Sequence, residues 1–323
     1  MPPDVCHLEK QITKQVPYPF GTGSFCVNED LRFRTAELFY FPFFVNCDTI
    51  STSVRKEGIF MKLIDFHTHI YPDAVAQKAS DSIAQYYGLR GSGMDGRVET
   101  LLTRGKQAGI SHYVVLPVGL KPDHVRHINE FILRQTAEHS CFTGFGTVHA
   151  AMAEPEAEIE FIWESGMKGI KMHPDTQRFD IDDPRLFPVY DLLRQKGLMA
   201  MIHMGDAIYD YSHPRRLRRV LKEFPGLRVM AAHFGGYSMY ETAREQLWDT
   251  DCFMDISSSL MFMEKETALR YIRMYGPERM VYGTDYPLWD PITEVRRFLA
   301  LGLTDDETEQ IAYKTAASIL GFD

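Results

Sequence analysis

Histidines recur at one kind of position in this sequence, the ends of short apolar stretches. The chain has 12 histidines. Five of them, together with one aspartate, end or closely follow such stretches: His67, His69, His173, His203, His233 and Asp285. Imidazole and carboxylate groups are common ligands of Zn²⁺, and Mn²⁺ or Fe²⁺ also accept them. We therefore expect a site for one divalent metal, with Zn²⁺ as the predicted ion and Mn²⁺ or Fe²⁺ as alternatives.

The spacing of two of these histidines supports a shared site. His67 and His69 are two residues apart in one apolar run, and side chains two apart on a strand point to the same face. Two imidazoles placed in this way can reach one cation. His203 follows the run Met199–Ile202, and Asp285 ends the run that starts at Met280. If these runs are neighbouring parallel strands, the four side chains meet at one rim.

The predicted strands and helices that carry these histidines and Asp285 form a regular series from Met61 onward. In this series, β-branched apolar runs alternate with amphipathic stretches. The predicted strands are Lys62–Ile70, His112–Val118, Phe142–Val148, Gly169–His173, Met199–Met204, Arg228–His233, Cys252–Ser257 and Met280–Asp285. The helical patterns include Pro122–His139, Pro155–Ser165, Leu186–Gln195, Pro214–Phe224, Glu264–Tyr275, Pro291–Leu301 and Asp305–Leu320. Eight strands alternating with helices predict an α/β fold, a (β/α)8 TIM barrel, with its active site at the strands' carboxyl ends. A doubly wound open sheet is the alternative.

Several short motifs resemble the amidohydrolase superfamily. Phe66-His67-Thr68-His69 is similar to its first-strand motif. The motifs similar to its amidohydrolase-related branch are Leu186-Phe187-Pro188-Val189-Tyr190, Met201-Ile202-His203, Ala232-His233-Phe234-Gly235-Gly236 and Gly283-Thr284-Asp285-Tyr286-Pro287. That branch includes aminocarboxymuconate-semialdehyde decarboxylase, resorcylate-type decarboxylases and many uncharacterised hydrolases. The resemblance covers residues 61–323.

The resemblance implies a role for each matching residue. It makes His67, His69, His203 and Asp285 the metal ligands, and His233 the residue that orients or deprotonates a water molecule, with Asp285 sharing the proton transfer. A bound metal lowers the pKa of water to about 7, and an imidazole with a pKa near 6.5 is well matched to move the proton.

Other residues are candidates for binding the substrate. His173 could bind substrate, orient a metal ligand or bind a second metal. Lys171 faces the same side; some superfamily members use a carboxylated lysine here to bridge two metals, but we favour a charge contact to an anionic substrate or a barrel carboxylate. Arg178, in the loop after the fourth strand, could contact an acidic substrate. Asp65 is predicted to be structural.

These observations predict a metal-dependent hydrolase of a small molecule that contains a carbonyl or carboxylate group. A non-oxidative decarboxylase of an unsaturated or aromatic acid is the alternative on the same site, and a hydratase follows the same logic. The histidine at position 67 favours hydrolysis slightly, because decarboxylases of aromatic substrates often carry glutamate there. A non-catalytic metal- or ligand-binding protein is the alternative of another class. The loops Tyr71–Arg97 and Asp175–Pro184 are expected to set the substrate.

Composition narrows the partners and the location. The 323 residues include 44 acidic and 35 basic side chains, a net charge of −9 that argues against a general nucleic-acid binder. The apolar run Leu38 to Val45 is too short to cross a bilayer, so no membrane segment is predicted. Five scattered cysteines do not suit a disulfide framework and favour a reducing, cytoplasmic location. The sequence leaves a homodimer open.

The first 60 residues differ from the remainder. They hold three of the five cysteines and eight phenylalanines, and they show neither helical nor strand periodicity. The stretch Lys56-Glu57-Gly58, two codons before Met61, can be back-translated into a bacterial ribosome-binding sequence. We therefore expect residues 1–60 to be an irregular extension from a mis-assigned start, with translation beginning at Met61 and the barrel at 61–323. An extension with a role of its own is the alternative.

Overall fold

The computed structural model describes residues 62–89 and 93–322. The predicted irregular extension, residues 1–60, and the predicted start at Met61 lie outside the described residues, so the proposed boundary at residue 60 stays a prediction.

Eight short strands follow one another in the described chain. They are β1 (Ile64–Thr68), β2 (His112–Val115), β3 (Phe142–Gly144 and, after Phe145, Gly146–Thr147), β4 (Gly169–Met172), β5 (Met199–Ile202), β6 (Arg228–Ala231), β7 (Phe253–Asp255) and β8 (Met280–Val281). Every strand pairs in parallel with the next one in the chain, apart from an interruption of the ladder at Phe145. All eight predicted strands are confirmed, although each observed strand is shorter than its apolar run.

The last strand joins the first, which closes the sheet into a barrel. The Phe66 amide donates to the Tyr282 carbonyl at 2.9 Å, and the Asp285 amide donates to the His67 carbonyl at 2.8 Å. A parallel bridge also pairs Thr68 with Tyr286. The predicted (β/α)8 barrel is therefore confirmed, and the open-sheet alternative is wrong. Asp65 strengthens this seam, because its carboxylate accepts hydrogen bonds from the Thr284 amide and hydroxyl.

The helices between the strands match the predicted patterns closely. They are α1 (Ala76–Tyr86), α2 (Val98–Ala108), α3 (Val125–Glu138), α4 (Pro155–Glu164), α5 (Pro174–Gln177), α6 (Phe187–Lys196), α7 (Pro214–Glu223), α8 (Tyr240–Leu247), α9 (Lys265–Tyr275), α10 (Pro291–Leu299), α11 (Asp305–Glu309) and α12 (Thr315–Leu320). Two expectations are corrected. The stretches Tyr71–Arg97 and Asp175–Pro184 are expected to be loops, but the first contains α1 and the second begins inside α5. In the described residues, no helix is both long and apolar enough to span a membrane.

The alternation of buried side chains explains how strands aim residues at the site. On β5, Met199 and Met201 pack in a cluster with Phe66 and Phe145, whereas Ala200 and Ile202 pack in the larger cluster against the helices. His203 continues the face of Met199 and Met201. Strand periodicity therefore places this histidine at the carboxyl end of the barrel interior, where TIM-barrel active sites lie.

Candidate functional site

Three ligand-type atoms converge at the carboxyl end of β1 and β8. His67 Nε2 lies 3.2 Å from His69 Nε2 and 3.4 Å from Asp285 Oδ1, and the last atom lies 3.5 Å from His69 Nε2. Gly283 allows β8 to approach this closely, because a Cβ at that position would lie 2.8 Å from His67 Cβ. Asp285 has a left-handed backbone with φ of 60°, a costly conformation that is concentrated at functional sites.

The outer nitrogens of both imidazoles are held by acceptors. His69 Nδ1 donates to the Leu116 carbonyl at 2.6 Å, and His67 Nδ1 donates to Asp255 Oδ2 at 2.9 Å. Each Nδ1 therefore carries the proton, which leaves a lone pair on each Nε2. Two lone pairs and a carboxylate that face one another form a set of acceptors that a shared cation would satisfy.

Lys171 already places a positive group at this set. Its Nζ lies 3.0 Å from His67 Nε2, and the side chain is buried. Burial lowers the pKa of Lys171 to about 8, against the opposing influence of Asp285 and Asp255. The ammonium group therefore persists at neutral pH, next to the atoms that would bind a metal.

The protonation states suit metal binding. Burial and the neighbouring Lys171 lower the pKa of His67 to about 3, so its imidazole is neutral at pH 7. Burial alone would raise the pKa of Asp285, but His67 and the hydrogen bond with His69 outweigh it and hold this pKa well below its ordinary value. Neutral imidazole and ionised carboxylate are the forms that coordinate metal ions.

A second carboxylate, Asp255 at the end of β7, was missed in the sequence. Its Oδ1 accepts hydrogen bonds from the His233 amide at 3.1 Å and from the Ser257 amide and hydroxyl at 3.0 and 2.5 Å, while Oδ2 accepts from His67. A carboxylate that orients a metal-ligating histidine fixes its tautomer. The available signal was an aspartate that ends a predicted strand, as Asp285 does.

The predicted site residues His173, His203 and His233 lie outside the group formed by His67, His69 and Asp285. His203 Nδ1 is 3.0 Å from His233 Nε2, and the His203 ring stacks on His173 with 3.8 Å between ring centres. Ligand atoms of His173, Asp175 and His203 lie within 4.8 Å of one another, as do those of His67, His69 and Asp285. Of the four ligands that the resemblance implied, the structure thus brings three into one group and places His203 beside that group.

His233 is held between these two groups of residues. Its Nδ1 donates to the Ser257 carbonyl at 3.1 Å, and its ring stacks against His67 with 5.0 Å between centres. The backbone of His233 is left-handed, with φ of 59°, as at Asp285. Burial lowers the pKa of His233, so the ring is neutral at pH 7 and Nε2 can accept a proton.

Tyr87 is a second residue that the sequence did not reveal. It follows α1, and its hydroxyl lies 2.8 Å from His173 Nε2 and 3.2 Å from His203 Nε2. Arg178, by contrast, is exposed and follows the single turn of α5. Its predicted role in substrate binding stays a prediction.

A narrow pocket opens onto these groups. Its walls carry three aromatic side chains, two aliphatic side chains, and polar groups of the site: Tyr87, Tyr237, Trp289, Leu89, Leu288, His203, His233, Ser258 and Asp285. Ser258 donates to Asp285 Oδ2 and accepts from Trp289 Nε1 at 2.8 Å, which joins the aromatic wall to the carboxylate. Aromatic and aliphatic walls with a few polar groups are the usual lining of small-molecule sites.

Comparison with known proteins identifies the family. The amidohydrolase family model matches residues 64–322. The chain belongs to the amidohydrolase family. This match confirms the resemblance to the amidohydrolase superfamily that the sequence motifs predict.

A curated relative is 2-amino-3-carboxymuconate-6-semialdehyde decarboxylase from Dictyostelium discoideum, which is 21% identical over 237 residues. The match covers 62% of this chain and 64% of the relative, which is less than two thirds of the relative's length.

Two solved structures share the barrel of this amidohydrolase. An uncharacterised TIM-barrel protein from Bordetella bronchiseptica has a TM-score of 0.69 and 20% identity, with 80% of this chain and 98% of that chain covered. A dihydroxybenzoic acid decarboxylase from Polaromonas sp., with bound manganese and the inhibitor 2-nitroresorcinol, has a TM-score of 0.62 and 13% identity, with 80% and 97% covered.

Proposed function

We propose that this amidohydrolase is a non-oxidative decarboxylase of a small unsaturated or aromatic carboxylic acid. The observation that carries the proposal is the convergence of His67 Nε2, His69 Nε2 and Asp285 Oδ1 within 3.5 Å at an aromatic-walled pocket. Decarboxylases among the similar proteins, including the two described above, favour this reaction over hydrolysis, which is the first prediction from the sequence. Hydrolysis by a metal-activated water remains the second candidate, supported by the retained His67-x-His69 pair.

We assign the metal to His67, His69 and Asp285, with His203 as the fourth ligand. The donor set fits a divalent cation, because the Nε2 lone pairs face each other and Lys171 already supplies a positive group there. Histidine nitrogens and one carboxylate favour Zn²⁺ among common metals, whereas the manganese in the Polaromonas enzyme supports Mn²⁺. When bound, such a cation would polarise a carboxylate oxygen of the substrate.

The residues around this centre supply the remaining chemistry. In decarboxylation, the bond between the substrate carbon and its carboxylate breaks, the electron pair stays on the carbon, CO₂ leaves and a proton must reach that carbon. We propose that His233 and Asp285 hold and deliver this proton, since both line the pocket. His173 and Lys171 are proposed to contact the substrate through their polar groups, and the aromatic wall would exclude water from the carbon that is being protonated.

The test is a panel of unsaturated and aromatic carboxylic acids, assayed in parallel with lactones, amides and esters. Each compound is incubated with the full chain loaded with Mn²⁺ or Zn²⁺, and both CO₂ and hydrolysis products are measured. Metal-dependent release of CO₂ from an acid supports the proposal, whereas hydrolysis products without CO₂ favour the second candidate. The Asp285→Asn variant serves as the inactive control.

A further inference from the structure

Buried side-chain atoms without a hydrogen-bond partner lie next to the proposed metal centre, near the ends of β4 and β5. His173 Nδ1 and Asp175 Oδ2 make no hydrogen bond in the described structure. The two side chains are only 6% and 1% exposed. Ser212 Oγ lies beside the same carboxylate and interacts with it. Buried polar groups are costly when unpaired, so two such atoms on neighbouring residues indicate that a bound species normally satisfies them.

The histidine and the carboxylate lie close enough together to share a cation. One ligand atom of His173 and one of Asp175 lie within 4.8 Å of each other, and His173 Nδ1 and Asp175 Oδ2 do not bond to one another. The loop is fixed, because Asp175 Oδ1 accepts from the Ser212 amide at 3.3 Å and the Gly205 amide donates to the Ser212 carbonyl at 3.0 Å. These hydrogen bonds hold Asp175 in place, so it does not move to bond with His173.

His203 separates this cluster from the first centre. Its ring lies parallel to that of His173, with an interplanar angle of 8°. An imidazole donates its lone pair in the ring plane, so two stacked rings direct their lone pairs side by side instead of at one point. A cation held by His173 is thus distinct from one held by His203, which stays available to the proposed centre of His67, His69 and Asp285.

The hydrogen bonds of Tyr87 permit the tautomer that a cation needs. His203 Nε2 lies 3.0 Å from the Gly205 carbonyl, so this nitrogen carries a proton and donates it there. The Tyr87 hydroxyl, 3.2 Å from the same nitrogen, therefore does not donate to His203, and it can accept from His173 Nε2–H at 2.8 Å. His173 Nδ1 then carries a lone pair that points away from Tyr87.

We propose that His173 Nδ1 and Asp175 Oδ2, with Ser212 Oγ beside them, bind a second divalent transition-metal cation. Imidazole, carboxylate and hydroxyl donors suit Mn²⁺ and Zn²⁺, with water completing the coordination. This site is separate from the centre assigned under the proposed function and does not depend on which reaction that centre catalyses.

The test counts metal ions in the full chain. Metal-free protein is dialysed against buffered Mn²⁺, and bound manganese is measured by plasma mass spectrometry and low-temperature electron paramagnetic resonance. Wild type should bind two equivalents. Asp175→Asn should bind one equivalent, and Asp285→Asn should lose the other equivalent. Asp206→Asn is the matched control, because both Asp206 oxygens already accept hydrogen bonds, from the Ile208 and Tyr209 amides and the Tyr86 hydroxyl.

The outcomes separate this inference from the proposed function. One equivalent in wild type that Asp175→Asn retains and Asp285→Asn loses would overturn the second site alone. No manganese in wild type would overturn both assignments. If circular dichroism shows that Asp175→Asn is unfolded, His173→Gln replaces it: one equivalent supports the second site and two equivalents refute it.

Discussion

Replacing Asp255 by asparagine should weaken metal binding at the centre of His67, His69 and Asp285, although aspartate and asparagine have nearly the same size. Asp255 Oδ1 accepts three hydrogen bonds, from the His233 amide and from the amide and hydroxyl of Ser257, whereas Oδ2 accepts one, from His67 Nδ1. Burial would raise the pKa of Asp255, but His67 outweighs it and holds the pKa well below its ordinary value. The native group is therefore a carboxylate that accepts on both oxygens at neutral pH.

The amide of asparagine has one accepting end and one donating end. Its oxygen should take the position of Oδ1, because the reverse orientation would set an NH₂ group against three donors, at about 1–3 kcal/mol for each unsatisfied group. The NH₂ group then faces His67 Nδ1 and donates to it. The His67 proton must move to Nε2, which blocks the atom that faces His69 and Asp285. We expect metal affinity to fall about 10- to 100-fold, the usual effect of losing such an orienting partner.

The assay is equilibrium dialysis of metal-free protein against buffered Zn²⁺ and Mn²⁺, with bound metal measured by plasma mass spectrometry. Ser259→Ala is the matched control. Ser259 is a buried serine of the same segment, and its hydroxyl donates to the Ser257 carbonyl. The metal affinity of this variant should equal that of wild type. Thermal unfolding of the metal-free forms checks that both variants fold. An Asp255→Asn protein that is folded and binds metal within threefold of wild type would refute the tautomer argument.

Three further predictions concern the same centre. The Lys171 pKa is about 8, so below pH 8 its ammonium group competes with the divalent cation. The metal affinity of wild type should therefore rise about tenfold from pH 7 to pH 9. In the same dialysis, the metal affinity of Lys171→Met should change little with pH. Asp285→Asn should lower kcat by about 10²- to 10⁴-fold, the range for a proton-transfer residue, in the CO₂ assay. Gly283→Ala should cost about 1–3 kcal/mol in urea unfolding and weaken metal binding, since its Cβ would lie 2.8 Å from His67 Cβ.

The barrel was predictable because its signals are local. Each strand is a short apolar run, and glycines such as Gly109, Gly166 and Gly197, with φ of 82°, 76° and 67°, end helices in the left-handed conformation that favours glycine. Helix α1 was missed inside Tyr71–Arg97 because its apolar residues are few: only Ala76, Ser80 and Ala84 are buried. Small side chains leave little periodicity to detect in a sequence.

Strand periodicity made only part of the site predictable. The two-residue spacing placed His67 and His69 together, and the end of an apolar run placed Asp285 opposite them. Asp255 contacts His67 across 188 positions of the chain, and no local pattern encodes such a pairing. The grouping of His203 with His173 likewise depends on ring stacking. Tertiary packing decides these relations, so they required the structure.

His67 Nε2 is the atom that would bind the metal, that lies next to the Lys171 ammonium and whose protonation depends on Asp255. A double variant of Lys171 and Asp255 therefore tests whether both residues affect metal binding through this atom. Lys171→Met should raise metal affinity at pH 7, because it removes an ammonium that lies 3.0 Å from Nε2. In an Asp255→Asn background Nε2 carries a proton, so the ammonium no longer bonds to it and its removal should bring little gain. The two effects on the binding free energy should therefore not add. Additive effects, measured by the same dialysis at pH 7, would show that Asp255 acts on the metal by a route other than His67.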